Sequence, residues 1–336
     1  MAISAMNSIN VVHISKTPLV GAPGVISKYL NLNNDFNSCH FFLNEYPEQL
    51  RGFFTKNSIH LDISNKLVRE LFIKKISSAD IIHIHNDINS DDVIELLLTH
   101  TNNAYFFYQI HSPLREPPLY IDKSKDLPFY FSKKLVIAQA HPRLYANFEF
   151  VPNIVDVYPK ANIINKECKN KIRILFSPTH KRTNGVIFST KFTENQIKYF
   201  DEIKKSCDFD LIDFDKPISP VMLLELRRLA DISIDEIASG GFHQVSYEGL
   251  ACGNVVINNA DIFAKGNFAE SIGANELPPF FRACDQDFIE KILWLKNNAE
   301  ELQKMKENSM AYYAKYMMPL RLIEIFKKKY KETISC

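Results

Sequence analysis

The chain of 336 residues has almost no net charge: 40 Lys and Arg against 39 Asp and Glu leave +1 at pH 7. No global field therefore recruits nucleic acid or an anionic membrane, and only a local basic patch remains for such partners. No run reaches the ~18 apolar residues of a membrane-spanning helix. The opening MAISAMNSINVVHIS lacks the basic segment and apolar run of a signal peptide. The six cysteines, Cys39, Cys168, Cys207, Cys252, Cys284 and Cys336, form no CxxC pair and no metal-ligand spacing. Reduced, mostly buried thiols in a cytoplasmic protein are expected, and no metal site. Internal repeats, low-complexity tracts, HExxH, a Walker loop and GxSxG are all missing. DFD at 208–210 has the DxD spelling, but it opens an apolar strand and is discounted.

What is present is an ordinary globular composition, 46% apolar and 24% charged, over a length that suggests two domains. Apolar runs alternate with helical patterns. INVVHI (9–14), CHFFL (39–43), IIHIH (81–85), YFFYQI (105–110) and LVIAQ (135–139) read as strands. Ser90 caps a helix whose first turn carries Asp91 and Asp92, suited to its positive end. A polar stretch with two prolines, 150–171, reads as the interdomain linker. IRILFSP (172–178), DFDLIDF (208–214), DISIDE (231–236) and VVIN (255–258) continue the alternation. Ser219-Pro220 opens one helix and Pro319 another, the basic final helix with Lys327, Lys328, Lys329 and Lys331. Strands alternating with helices imply parallel sheets, here two Rossmann-like doubly wound domains with the ligand site in a cleft between strand carboxyl ends.

The segment GGFHQVSYEGLACGNVVIN (240–258) concentrates the chemistry. Gly240 and Gly241 precede a helix whose free N–H groups and positive dipole end suit an anion, with glycines that let it approach. Glu248 lies about two turns in and suits the hydrogen bonds of a polyol; an ordinary glycine-rich turn with a solvated Glu248 is the alternative. FSPTHKRTNGVIFSTKF (176–192) supplies Lys181, Arg182 and Lys191 for a diphosphate, or forms a solvated basic loop. Gly21 and Gly24 in GAPG form a turn able to close over a cleft, or an ordinary βα turn. His111, at the end of YFFYQI, is placed to orient a hydroxyl or touch a sugar, or else makes a local cap. His141 and Arg143 are further candidates for an acceptor side. His83 and His85 are read as pointing to opposite faces of their sheet, hence as separate hydrogen bonders and not ligands of one metal.

Gly240-Gly241-Phe242-His243 followed by Tyr247-Glu248-Gly249-Leu250-Ala251-Cys252-Gly253-Asn254-Val255-Val256 resembles the donor-site motif of glycosyltransferase family 4 within the GT-B fold. Gly240 stands where that motif has its first glutamate, and His243 where it has a second glycine. ADIIHIH (79–85), FVPN (150–153) and the tail MAYYAKYMMPLRLIEIFKKKY resemble further parts of the same family. The resemblance implies an acceptor-side domain over 1–160, a donor domain over 161–318, and a final helix over 319–336 that crosses back to the first domain. It implies a UDP- or GDP-linked sugar as donor substrate and no cofactor. Glu248 would hold the nucleotide ribose, with Gly240, Gly241, Phe242, His243, Gly21 and Gly24 lining the donor. Arg182 and Lys191, with Lys181 as substitute, would clamp the phosphates. Transfer with retention and without metal would follow, the acceptor hydroxyl attacking on the leaving-group face while a diphosphate oxygen takes its proton. The expected acceptor is a surface glycan or lipid-linked saccharide handled at the inner face of the membrane. Modified bases of phage DNA are a second acceptor class served by the same architecture, and a non-catalytic nucleotide- or sugar-binding protein is the third reading.

Overall fold

The computed structural model describes residues 8–111, 122–138, 145–159, 171–177, 194–214, 218–238 and 240–335. Its first part runs β1 (Ile9–Ser15), α1 (Ala22–Leu30), β2 (Phe36–Phe42), β3 (Ile59–His60), α2 (Lys66–Ser77), β4 (Ile81–His85), α3 (Asp91–His100), β5 (Tyr105–Ile110), β6 (Phe131–Ile137) and β7 (Glu149–Val151). The second runs β8 (Ile172–Phe176), α4 (Glu194–Lys205), β9 (Phe209–Ile212), α5 (Pro220–Leu229), β10 (Ile232–Ile234), α6 (Gln244–Ala251), β11 (Val255–Asn258), α7 (Ile262–Ser271), β12 (Phe281–Arg282) and α8 (Phe288–Asn297). The chain closes with α9 (Ala299–Tyr312), a π-helical turn (Tyr313–Met317) and α10 (Pro319–Ile334).

Among the described residues every strand pairing is parallel, so the strands are covered on both faces and read as apolar runs. The first sheet has the order β3-β2-β1-β4-β5-β6-β7 and the second β12-β11-β10-β8-β9. Each order reverses at one place, between β1 and β4 in the first and between β8 and β10 in the second. Ligands of doubly wound sheets bind beyond the strand carboxyl ends at such a switch.

Local chemistry explains where the elements begin and end. Ser90 accepts from Val93 N and Ser219 from Met222 N, each occupying an orphan donor of a helix start. Gly253, with φ +70°, follows α6 in the left-handed conformation that ends helices. The stretch read as linker from residue 150 begins inside the sheet, because β7 pairs with β6. After it, Val157 accepts from the Tyr313 hydroxyl at 2.9 Å, and Asp156 accepts from Lys28 and Tyr29 of α1 at 2.6 to 2.7 Å.

The two faces of the first sheet differ. Val12, Ile14, Ile82, Ile84, Tyr108 and Ile110 face α2 and α3 in a purely apolar layer. On the other face Val11, Ile81 and Phe107 share their layer with His13, His83, His85 and Gln109, all fully buried. This corrects the expectation for IIHIH: His83 and His85 are two residues apart, a full period of a strand, and project to the same face. Their rings stack with centroids 4.2 Å apart.

α10 covers that face. Tyr330 packs against Phe36 and Phe107 and its hydroxyl lies 2.7 Å from His83 Nδ1. The lysines of α10 are paired within the chain: Lys331 to Asp35 at 2.7 Å, Lys327 to Glu324 at 2.7 Å, and Lys329 to Glu149. Among the described residues no helix is long and apolar enough to cross a membrane. Cys252 is buried, which pushes its thiol up to about 12, as burial does at Cys39; Cys207 is exposed.

Candidate functional site

At the switch of the second sheet, Asp235 leaves the end of β10 and organises the segment ahead of α6. One of its oxygens accepts from His243 N at 2.6 Å and Ser246 Oγ at 2.7 Å, the other from His243 Nδ1 at 2.8 Å. Asn258 Nδ2 donates to Ser246 Oγ at 2.9 Å and ties β11 into the cluster. A buried carboxylate thus sits against the positive end of α6, where the sequence reading places an outside anion. The bond to Nδ1 fixes the orientation of the His243 ring.

Glu248 is held from two sides. Gln244 Nε2, one turn earlier, donates to Oε1 at 3.1 Å, and Arg227 of α5 lies 3.2 Å from Oε2. Arg227 is completely buried, whereas the Glu248 side chain keeps 17% exposure. Ser233 and Ser177 accept from the same guanidinium at 3.0 and 3.2 Å, and Asn254 accepts from Ser233 while donating to the carbonyls of Arg227 and Ala230. A buried cation is tolerable only with such partners. The result is a carboxylate locked in one orientation with lone pairs to spare for a diol. Sequence reasoning missed Arg227, although a charge on the inner, apolar stripe of VMLLELRRL was a visible signal.

Two motif glycines have distinct reasons. A Cβ at Gly249 would lie 2.7 Å from Val256 Cγ2 and 3.2 Å from Ser233 Cβ, so α6 can approach the sheet only with glycine there. At Gly240 a Cβ would lie 3.0 Å from Asp261 Oδ2. Asp261 caps α7 through Ala264 N and donates its own N–H to Gly240 O, so it occupies the ground from which a side chain at 240 would start. Gly241 lies in the same turn. Phe242, read as a donor contact, is instead a core residue packed on Tyr247, Phe268 and Phe280.

At the switch of the first sheet, the loop after β1 is strained. Leu19 and Val20 have φ of 48° and 54° and Gly21, which caps α1, has φ 83°. A β-branched residue at positive φ is an outlier that surrounding structure must enforce. Gly24 is not in this loop; it lies in α1, where a Cβ would meet Ser58 Oγ at 2.6 Å.

His111 stands at the carboxyl end of β5. His85 Nδ1 lies 2.8 Å from His111 Nε2, and His13 Nδ1 lies 2.9 Å from His85 Nε2, a continuous row of three imidazoles. Burial lowers His13 to about 3, with the nearby His111 adding to it, and lowers His111 to about 4 against the opposing side chain of Asn153. His40, His83 and His85 are lowered by burial as well. His13, His83 and His85 also lie close enough for ligand atoms within 4.8 Å of one another. Both nitrogens of His85 are already engaged within the row, which favours a hydrogen-bonded chain over a cation site.

Arg182, Lys181, Lys191, His141 and Arg143 lie outside the described residues. Two hollows, of about 270 Å³ beside Leu97 and Phe106 and about 120 Å³ beside Ile203 and Phe209, open at the amino ends of the strands, away from both switch points.

No family model and no curated protein matches the chain. Solved structures do. Alpha-glucosyltransferase in complex with UDP superposes with a TM-score of 0.62 at 10% identity, over 97% of this chain and 100% of that one. The sucrose-phosphate synthase of Thermosynechococcus elongatus gives 0.59 at 11%, over 97% and 99%. Anabaena HepE in complex with UDP and glucose gives 0.55 at 10%, over 96% and 99%. With coverage of nearly the whole chain, the fold is the one these glycosyltransferases share: GT-B, two Rossmann-like parallel α/β domains facing a cleft.

Proposed function

We propose that the protein is a nucleotide-sugar-dependent glycosyltransferase of the family 4 type. The observation that carries this reading is the Glu248 carboxylate, oriented by Arg227 and Gln244 at the switch point of a GT-B donor-side sheet. A ribose diol there would replace water on the remaining lone pairs of a fixed acceptor, with no cost for ordering the side chain. Two of the solved structures named above, alpha-glucosyltransferase and HepE, contain UDP by their titles, which supports a nucleoside diphosphate sugar as donor. His243, with its ring held by Asp235, lies at the start of α6 beside the expected diphosphate.

Arg182 and Lys191, with Lys181 as substitute, are assigned to the phosphates, where their contribution grows as the leaving group gains charge. The acceptor hydroxyl attacks on the leaving-group face and its proton passes to a diphosphate oxygen, giving retention without a metal. A saccharide or lipid-linked acceptor fits the near-zero net charge. One observation favours a second acceptor class: alpha-glucosyltransferase bound to UDP and a 13-mer DNA with an HMU base shares the fold at a TM-score of 0.60 and 11% identity. A mobility-shift titration separates the two, since DNA binding weakens steeply with salt.

The test is release of nucleoside diphosphate from a panel of UDP- and GDP-sugars, with and without saccharide acceptors. Turnover of one donor supports the reading; no hydrolysis or transfer with any of them contradicts it.

A further inference from the structure

We propose that His85 and His13 are positioning residues that hold His111 in its Nδ1–H tautomer, so that His111 meets the substrate as a hydrogen-bond donor and not as a base. This rests on the reading of the first sheet's carboxyl edge as one wall of the transfer site.

The argument starts from proton counting. A neutral imidazole has one N–H. His13 and His85 are fully buried and His111 partly so, and all three are lowered well below the ordinary histidine value, hence neutral at pH 7. Two ring-to-ring contacts link them: His13 Nδ1 to His85 Nε2, and His85 Nδ1 to His111 Nε2. With one proton per ring, both contacts are satisfied in only two ways. Either every ring carries its proton on Nδ1 and the row donates outward, toward His111, or every ring carries it on Nε2 and the row donates inward.

The two ends choose between them. At the inner end, His13 Nε2 is buried with no hydrogen-bond partner. At the outer end His111 is only partly buried, beside Asn153. The inward polarity would leave a buried N–H orphaned at His13. The outward polarity leaves only a lone pair at His13 and puts the terminal N–H on His111 Nδ1. Orphaned buried donors are rarer than orphaned acceptors. The outward polarity is therefore the stable one.

The surroundings keep the row in place. The rings of His13 and His85 stack at 5.2 Å, His13 lies in register with His83 across β1 and β4, and the backbone N–H of His111 donates to Asn86 Oδ1 at 2.7 Å. His40 takes no part, being tied to Ser15 and Ser58. The sheet switch point between β1 and β4 thus delivers one oriented N–H to the cleft edge. A sugar hydroxyl or phosphate oxygen arriving there meets a donor, and the acceptor's proton must leave by another route.

Long-range ¹H–¹⁵N correlation of ¹⁵N-histidine-labelled full-length protein at pH 7.5 reads each tautomer directly, with signals assigned by single His→Gln variants. Nδ1–H on His13, His85 and His111 is expected. Nε2–H or a doubly protonated ring at His111 overturns the proposal, without reference to activity. Two variants of similar size extend the test. In His85→Asn the amide keeps a donor where Nδ1 was, and in His85→Leu none remains. His111 should keep its tautomer and its kcat/KM in the first, and lose the tautomer with a fall of roughly tenfold in kcat/KM in the second, the scale of one hydrogen bond. Equal losses in both variants overturn it. If the three rings show Nδ1–H but no sugar is transferred, the tautomer assignment stands and the transfer reading fails.

Discussion

Glu248 carries two roles that a single substitution separates by measurement. Its carboxylate is the counter-charge of a fully buried guanidinium, so Glu248→Ala leaves Arg227 with only serine oxygens. Removing one partner of a buried ion pair costs about 3–5 kcal/mol, and urea unfolding of the variant should show a loss of that order. Glu248→Gln keeps an acceptor for the diol and the guanidinium, and should lose less stability than affinity for UDP. A Glu248→Ala protein as stable as the parent would show that Arg227 does not depend on it. This dependence was not legible in the sequence, because nothing along the chain says which carboxylate a helix arginine meets 21 positions away. Gly240 was legible as a departure from the motif, but its cause, the approach of Asp261, lies across a turn.

At the scale of elements, most of the organisation could be read directly. IIHIH and YFFYQI have the boundaries their apolar runs suggest, and Ser90, Ser219 and Pro319 open helices where side-chain caps and proline geometry favour them. What failed was the direction of His83 and His85, where strand periodicity was misapplied, and the placement of Gly24, which serves helix packing. The seat of α6 on β10 and β11 gives the sharpest check. Gly249→Ala puts a methyl into Val256 and Ser233 and should cost about 1–3 kcal/mol by overpacking, with Glu248 displaced and UDP affinity reduced. Thermal unfolding and UDP titration measure both; an unchanged Tm would mean that α6 can slide. The seat of α10 is checked by Tyr330→Phe, which leaves buried His83 Nδ1 unpaired and should cost about 1–3 kcal/mol.

The whole molecule inherits a pH dependence from its buried histidines. His13, His40, His83, His85 and His111 all have values lowered by burial, to about 3 and about 4 where a figure applies. In the unfolded chain each titrates near 6.5. Below that pH the unfolded state takes up protons that the folded state refuses, so stability is full above about 6.5 and falls as the pH is lowered toward 4. Carboxylates held low by lysines, such as Glu149 and Asp156, act only in a more acid range. Urea unfolding at pH 7.5 and pH 5 should therefore differ by several kcal/mol, up to about 1.4 kcal/mol per histidine per pH unit. A flat profile would mean that these rings are charged or exposed.

The most direct measurement of the central claim is calorimetric titration of the parent and Glu248→Gln with UDP, GDP and their sugar conjugates. The account predicts one saturable site per chain for at least one nucleotide, with binding weakened about tenfold or more by the substitution while the fold persists, as expected for a lost charge-assisted hydrogen bond. Absence of binding to every nucleotide at millimolar concentration, or equal affinity of parent and variant, would contradict it.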